Sequence, residues 1–93
     1  FGPLLAVIPF NIDVQTILPI IGELRRQGKR VELELRGRKI GKAMGWADSI
    51  GADYTLVVGP RDLESGTGML KSLKTGEQVA VALSSVEIAA SLN

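Results

Sequence analysis

The run Leu4 to Pro9 constrains this chain more than any other feature, because it is apolar throughout and is bounded by Gly2-Pro3 on one side and Asn11 to Asp13 on the other. A short continuous apolar segment between turn signals suits a β-strand buried on both faces, and strands of that kind belong to sheets covered by helices on both sides. Asp53 to Gly59 repeats the pattern through Tyr54, Thr55, Leu56, Val57 and Val58, and Pro60 stops it. Both runs fall well short of the roughly 18 to 20 residues that a bilayer helix needs, so no membrane span is expected. Two doubly buried strands in 93 residues leave room for one core, and a single domain covering 1–93 is predicted.

The segments around these runs complete an α/β pattern. Asp13 can cap a helix in which Val14, Ile17, Leu18, Ile21 and Leu24 recur at helical spacing until Gly28 offers a left-handed stop. Pro19 interrupts that segment, so a kink or a later start is expected. Arg30 to Arg36 alternates, with Val31, Leu33 and Leu35 on one side and Glu32 and Glu34 on the other, the pattern of an edge strand with one wet face. Ile40, Met44, Ala47 and Gly51 line one stripe of a second helix over Arg38 to Ile50. Residues 60–66 read as a polar connection. Thr67 to Leu73, the turn Lys74-Thr75-Gly76 and Gln78 to Leu83 read as a hairpin, and Ser84 with Glu87 has the spacing of a capping box opening a last helix. The order β-α-β-α-β-β-β-α predicts a three-layer α/β/α sandwich with the first two helices on opposite faces. Its switch point falls between the first and third strands, which directs ligands to the loops near Pro9 to Asp13, Arg36 to Lys39 and Gly59 to Gly66.

Cysteine and histidine are absent, which removes disulfides, thiol nucleophiles, Cys/His zinc sites, serine triads and imidazole bases. The charge distribution is the positive clue. Eleven Lys and Arg against ten Asp and Glu give a net of +1, yet Arg25, Arg26, Lys29, Arg30, Arg36, Arg38, Lys39 and Lys42 all stand between 25 and 42, opposed only by Glu32 and Glu34. Such a basic block is the electrostatic footprint of phosphate-backbone binding, and equally that of a solvated face. Gly37-Arg38-Lys39-Ile40-Gly41-Lys42 is not a phosphate loop, because its glycines are one residue too close and Ala43 stands where a metal-binding hydroxyl is required. What survives is a helix start surrounded by Arg36, Arg38 and Lys39. Trp46 borders Lys39 and Lys42 as well as Ile50, so it either stacks on a base or seals the core edge, with packing the favoured reading. Asp62 and Glu64 form an acidic pair in a loop at the binding end, where carboxylates can accept from base amino groups. Nothing near them supplies a nucleophile, so no catalytic residue, metal site or cofactor site is expected in this chain. As a surface-loop acid, Asp62 is expected to contribute less than about 0.5 kcal/mol to stability.

Arg36-Gly37-Arg38-Lys39-Ile40-Gly41-Lys42, Ala47-Asp48, Ile50-Gly51-Ala52, Val57-Val58-Gly59, Leu63-Glu64-Ser65-Gly66 and Leu70 to Gln78 together resemble the anticodon-binding domain shared by class II histidyl-, threonyl-, prolyl- and glycyl-tRNA synthetases. The hairpin Leu73-Lys74-Thr75-Gly76-Glu77-Gln78 is most similar to the histidyl type. The resemblance implies a five-stranded mixed sheet of order 2-1-3-4-5, with the fourth strand antiparallel, and three helices. It implies a module that holds a tRNA anticodon stem-loop, with Asp62 and Lys71 matching residues that contact anticodon bases and Arg36, Arg38, Lys39 and Glu64 close by.

By the same resemblance the chain, which opens on Phe1, is expected to be the C-terminal fragment of a longer cytoplasmic, homodimeric synthetase. A separate catalytic domain of that synthetase would use ATP and Mg. The other function compatible with the fold is protein interaction or regulation in a chain that does not aminoacylate.

Overall fold

The computed structural model describes residues 2–92, leaving Phe1 and Asn93 outside the described residues. Its elements are β1 (Leu4–Pro9), α1 (Leu18–Arg26), β2 (Arg30–Leu33), α2 (Ile40–Ser49), β3 (Tyr54–Val58), α3 (Pro60–Ser65), β4 (Thr67–Ser72), β5 (Gln78–Ala82) and α4 (Ser85–Ser91). They form one five-stranded sheet of order β2-β1-β3-β4-β5. β1 is parallel to β2 and β3, whereas β4 is antiparallel to both its neighbours. The α/β class, the strand order and the antiparallel fourth strand are those expected.

β1 is central, and its side chains alternate between two cores. Leu5 and Val7 pack with Ile17, Ile21 and Leu24 from the α1 side and with Ile88 and Leu92 from the α4 side. Leu4 and Ala6 pack on the opposite face with Ala47 and Ala52, sealed by Trp46 and Leu73. The first two helices therefore cover opposite faces. The buried stripe of α2 runs through Ala43 and Ala47, with Met44 only partly covered, so small side chains face the sheet where a larger stripe was expected.

Pro19 is accommodated by delay. A 3₁₀ turn over Val14–Thr16, capped by Asp13 through a 3.0 Å bond from the Gln15 amide, precedes α1. Pro19 then stands in the first turn of α1, where its missing donor would have had no partner. Leu18 sits on the exposed side of that helix. Gly28 has φ +84°, the left-handed stop that its position predicts.

Two stretches differ from the sequence-based expectation. The connection at 60–66 contains the short helix α3, preset by Pro60 in its first turn and ended by Gly66 at φ +71°. This adds one short helix to the three expected. β2 ends at Leu33 rather than Arg36, so Leu35 is 72% exposed and Glu34 is buried, the reverse of their alternation. The Glu34 amide still donates to the Val7 carbonyl at 2.9 Å, but its carboxylate turns forward onto the next residues and ends the strand.

Truncation should report the two environments directly. Leu5→Ala removes a side chain with no exposed surface and is expected to cost about 2 to 5 kcal/mol in a urea unfolding titration, whereas Leu35→Ala is expected to stay within about 0.5 kcal/mol.

Candidate nucleic-acid interface

Folding divides the basic block between the two ends of the sheet. Arg30 opens β2 opposite Leu4, and Leu33 closes it opposite Val7, so bases before β2 lie at the amino end and bases after it at the carboxyl end. The amino-end group is largely engaged within the chain. Arg25 donates through Nε and Nη2 to the Val31 carbonyl at 3.2 and 2.8 Å. Arg30 donates to the Gly2 carbonyl at 3.1 Å, and Arg26 pairs with Glu23 at 2.7 Å. The hydrogen bond and charge of Arg26 hold the Glu23 carboxyl below its usual range.

At the carboxyl end the loop between β2 and α2 presents Arg36 and Lys39, both exposed, with Arg38 partly covered and Lys42 exposed on α2. The loop is anchored by Glu34, whose carboxylate accepts from the Arg36 amide at 2.7 Å, the Arg38 amide at 3.2 Å and the Arg38 guanidinium at 2.9 Å. Trp46 lies beneath the same arginine, with the guanidinium carbon 5.7 Å from the ring centre. The tryptophan packs on the α2 core as the favoured reading had it, and it also faces Arg38. Facing this loop across a cleft of about 410 Å³ is the segment after β1, including Phe10, Asn11 and Asp13. Two of the three expected loops, those after β1 and β2, line the cleft, which opens over those strands, while the loop at Gly59 to Gly66 does not line it and the switch point itself lies between β1 and β3. There the ladder continues one residue further, with the Phe10 amide donating to Val58 at 2.8 Å and the phenyl ring lying against Gly59.

Asp62 is on α3 at the same end of the sheet, and its carboxylate caps that helix by accepting the Gly59 amide at 2.7 Å. Gly59 has no side chain to return the bond, so Asp62 supplies the whole side-chain cap. Glu64 is exposed on the same helix, and among the described residues its side chain has no recorded partner. Lys71 is elsewhere. Its β4 position is opposite Thr55 on β3 and Gln78 on β5, on the sheet face that carries Ala6, and Met69 and Ala80 one register up are exposed there. The fold thus gathers Arg36, Arg38 and Lys39 into one loop, places Asp62 and Glu64 on α3 at the same end of the sheet and sets Lys71 on the face of β4 that carries Met69. The residue that sequence reasoning missed is Glu34, and its one sequence signal is an acid two positions ahead of Arg36-Gly37, a strand-breaking turn. Among the described residues no group of three His, Cys, Asp or Glu could hold a metal ion, and no helix is long and apolar enough to cross a membrane.

The cap gives Asp62 a larger share in stability than a loop acid would have. Asp62→Ala is expected to lower the unfolding free energy by about 1 kcal/mol in a thermal or urea melt, while Glu64→Ala should leave the curve unchanged.

Comparison with known proteins gives this surface its context. The family model described as "Anticodon binding domain" matches residues 5–89. The chain is 36% identical over 85 residues to the histidine–tRNA ligase of Pyrococcus horikoshii, covering 91% of this chain and 20% of that one. It is 46% identical over 80 residues to the histidine–tRNA ligase of Mycobacterium marinum, covering 85% of this chain and 19% of the relative. Apo histidyl-tRNA synthetase of S. aureus superposes with a TM-score of 0.79 at 26% identity, over 88% of this chain and 24% of that structure. The chain thus spans about a fifth of the length of the curated relatives it matches. With its sheet order, its loop of arginines and its match along nearly the whole length, the chain belongs to the anticodon binding domain family, in company with histidine–tRNA ligases.

Proposed function

We propose that this chain is the C-terminal anticodon-binding domain of a histidine–tRNA ligase and that it holds the anticodon stem-loop of the tRNA while chemistry proceeds in a catalytic domain outside it. The observation that carries the reading is the loop of Arg36, Arg38 and Lys39 at the carboxyl end of the sheet, beside an open cleft, while Arg25, Arg26 and Arg30 at the far end bond within the chain. Arg36 and Lys39 neutralise backbone phosphates, which releases counterions and orients the RNA without specifying sequence. Asp62, Glu64 and Lys71 face single-stranded bases. Carboxylates accept from base amino groups and the ammonium donates to base carbonyls or ring nitrogens, the usual mode of sequence-specific RNA reading. ATP and Mg belong to the catalytic domain in this reading. The host enzyme would be cytoplasmic and homodimeric.

Titrating the chain with a tRNA transcript at increasing salt tests the phosphate contacts. The logarithm of affinity should fall linearly with the logarithm of salt concentration. Arg36→Ala should weaken every tRNA alike and reduce the slope by about one unit. Arg26→Ala, whose guanidinium is paired with Glu23, should change little. Binding indifferent to salt, or equal losses at Arg26 and Arg36, would remove the carboxyl-end loop from the interface.

Base reading is tested in the full ligase. Lys71→Ala should lower charging of tRNA with the histidine anticodon relative to an anticodon-swapped transcript, by the equivalent of about 1 to 3 kcal/mol, while amino-acid activation without tRNA stays intact. An unchanged ratio would exclude Lys71 from base recognition.

A further inference from the structure

Glu34 is the buried charged group of the described residues, and all its recorded side-chain bonds go to the loop that the proposed function assigns to RNA. Its side chain has no exposed surface, whereas the side chain of Arg38 is 26% exposed. One carboxylate oxygen accepts both the Arg36 amide and Nη1 of Arg38, and the other accepts the Arg38 amide. That arrangement fixes the loop backbone and the guanidinium of the same residue together. Trp46 holds the guanidinium from a second side, with the ring centre 5.7 Å away. Among the described residues the guanidinium makes one hydrogen bond, to Glu34, which leaves its other N–H donors for a ligand.

We infer that Glu34 and Trp46 are positioning residues that hold Arg38 as a preformed contact for an RNA phosphate. The inference rests on the RNA-binding reading and deepens it. Arginine loses much of its advantage for phosphate if its planar fork must first be ordered, and a fork clamped by a carboxylate and an aromatic face needs little ordering. The competing account is that Arg38 only neutralises a buried acid, with no part in binding.

Glu34→Gln separates the two, because charge and positioning predict opposite signs. The substitution removes a negative charge from a basic loop, so electrostatics alone would tighten RNA binding. Positioning predicts the reverse. With its oxygen kept toward Arg36 and Nη1 of Arg38, the glutamine amide would present an N–H₂ donor to the Arg38 amide, donor against donor, and the loop would be released. Affinity for a tRNA transcript should therefore fall roughly tenfold with Arg38→Ala and several-fold with Glu34→Gln. The double variant should be no weaker than Arg38→Ala alone. Trp46→Leu should weaken binding in the same way and Trp46→Phe should restore it. Emission of Trp46, the sole tryptophan, should shift alike in Glu34→Gln and Arg38→Ala without RNA, which reports positioning separately from binding.

Tighter or unchanged binding by folded Glu34→Gln, or additive losses in the double variant, would overturn the inference. If Arg36→Ala weakens binding while Arg38→Ala and Glu34→Gln do not, RNA binding stands and the positioning role falls. If the wild-type chain binds no RNA, the reading beneath both fails. Should Glu34→Gln not fold, the Trp46→Leu and Trp46→Phe pair decides, since loss without rescue by the second ring would also count against the clamp.

Discussion

β1 has no side facing water, and that constraint organises the rest of the molecule. Five of its six residues are buried, so each face of the sheet has to be covered by a helix layer. On one face α1 and α4 bring Ile17, Ile21, Leu24, Ile88 and Leu92 against Leu5 and Val7. On the other, the alanines of α2 face the sheet near Ala6, and Trp46 closes the margin. Since both faces near β1 are occupied, what the chain presents there is set by its loops, and at the carboxyl end these are the segments after β1, β2 and β3. Farther out on that face β2 exposes Arg30 and Glu32, and β4 and β5 expose Met69 and Ala80 around the half-buried Lys71.

The same strand direction decides what the basic block means. Along the sequence Arg25 to Lys42 is continuous, but β2 runs through the middle of it. From Arg30 to Glu34 an extended backbone covers roughly 13 Å, which exceeds the Debye length of about 8 Å at physiological ionic strength. The two halves therefore act on an incoming polyanion as separate groups. The amino-end half is tied to Val31, Gly2 and Glu23, and the carboxyl-end half is organised around one buried carboxylate. A charge count along the chain registers neither the separation nor the pairing.

Much of the architecture was legible because it follows from periodicity and punctuation. The doubly apolar strands, the delayed start forced by Pro19 and the left-handed stop at Gly28 all express local rules that tertiary contacts did not override. The tail of β2 was not legible. Glu32 and Glu34 are the same residue at alternate positions, yet one is exposed and the other buried, because the second finds two backbone amides and a guanidinium just ahead of it. Side-chain bonds of this kind compete with the sheet ladder and depend on the turn at Gly37, which has φ +65°. For α3 the signals were present, Pro60 at the start and Gly66 at the end, but a helix of six residues has too few apolar positions to show a period. The acid read as a candidate base contact, Asp62, is for the same reason also its cap.

Three different supports hold the residues assigned to RNA. Glu34 fixes the loop that carries Arg36 and Arg38, Asp62 fixes the helix that carries itself and Glu64, and the β4 ladder fixes the backbone of Lys71 between Thr55 and Gln78. In each case the backbone is ordered before any ligand arrives, so binding has to order side chains but not loops, which lowers the entropic cost of association. The arrangement also ties recognition to stability unequally. Lys71 can change without touching a side-chain hydrogen bond recorded in the fold, whereas Asp62 and Glu34 cannot, because the same carboxylates that shape the interface close a helix and a strand. In the proposed reading, substitutions at those two acids would therefore alter binding partly through the fold, whereas Arg36 and Lys71, whose side chains bond to none of the described residues, would report on the RNA contact itself.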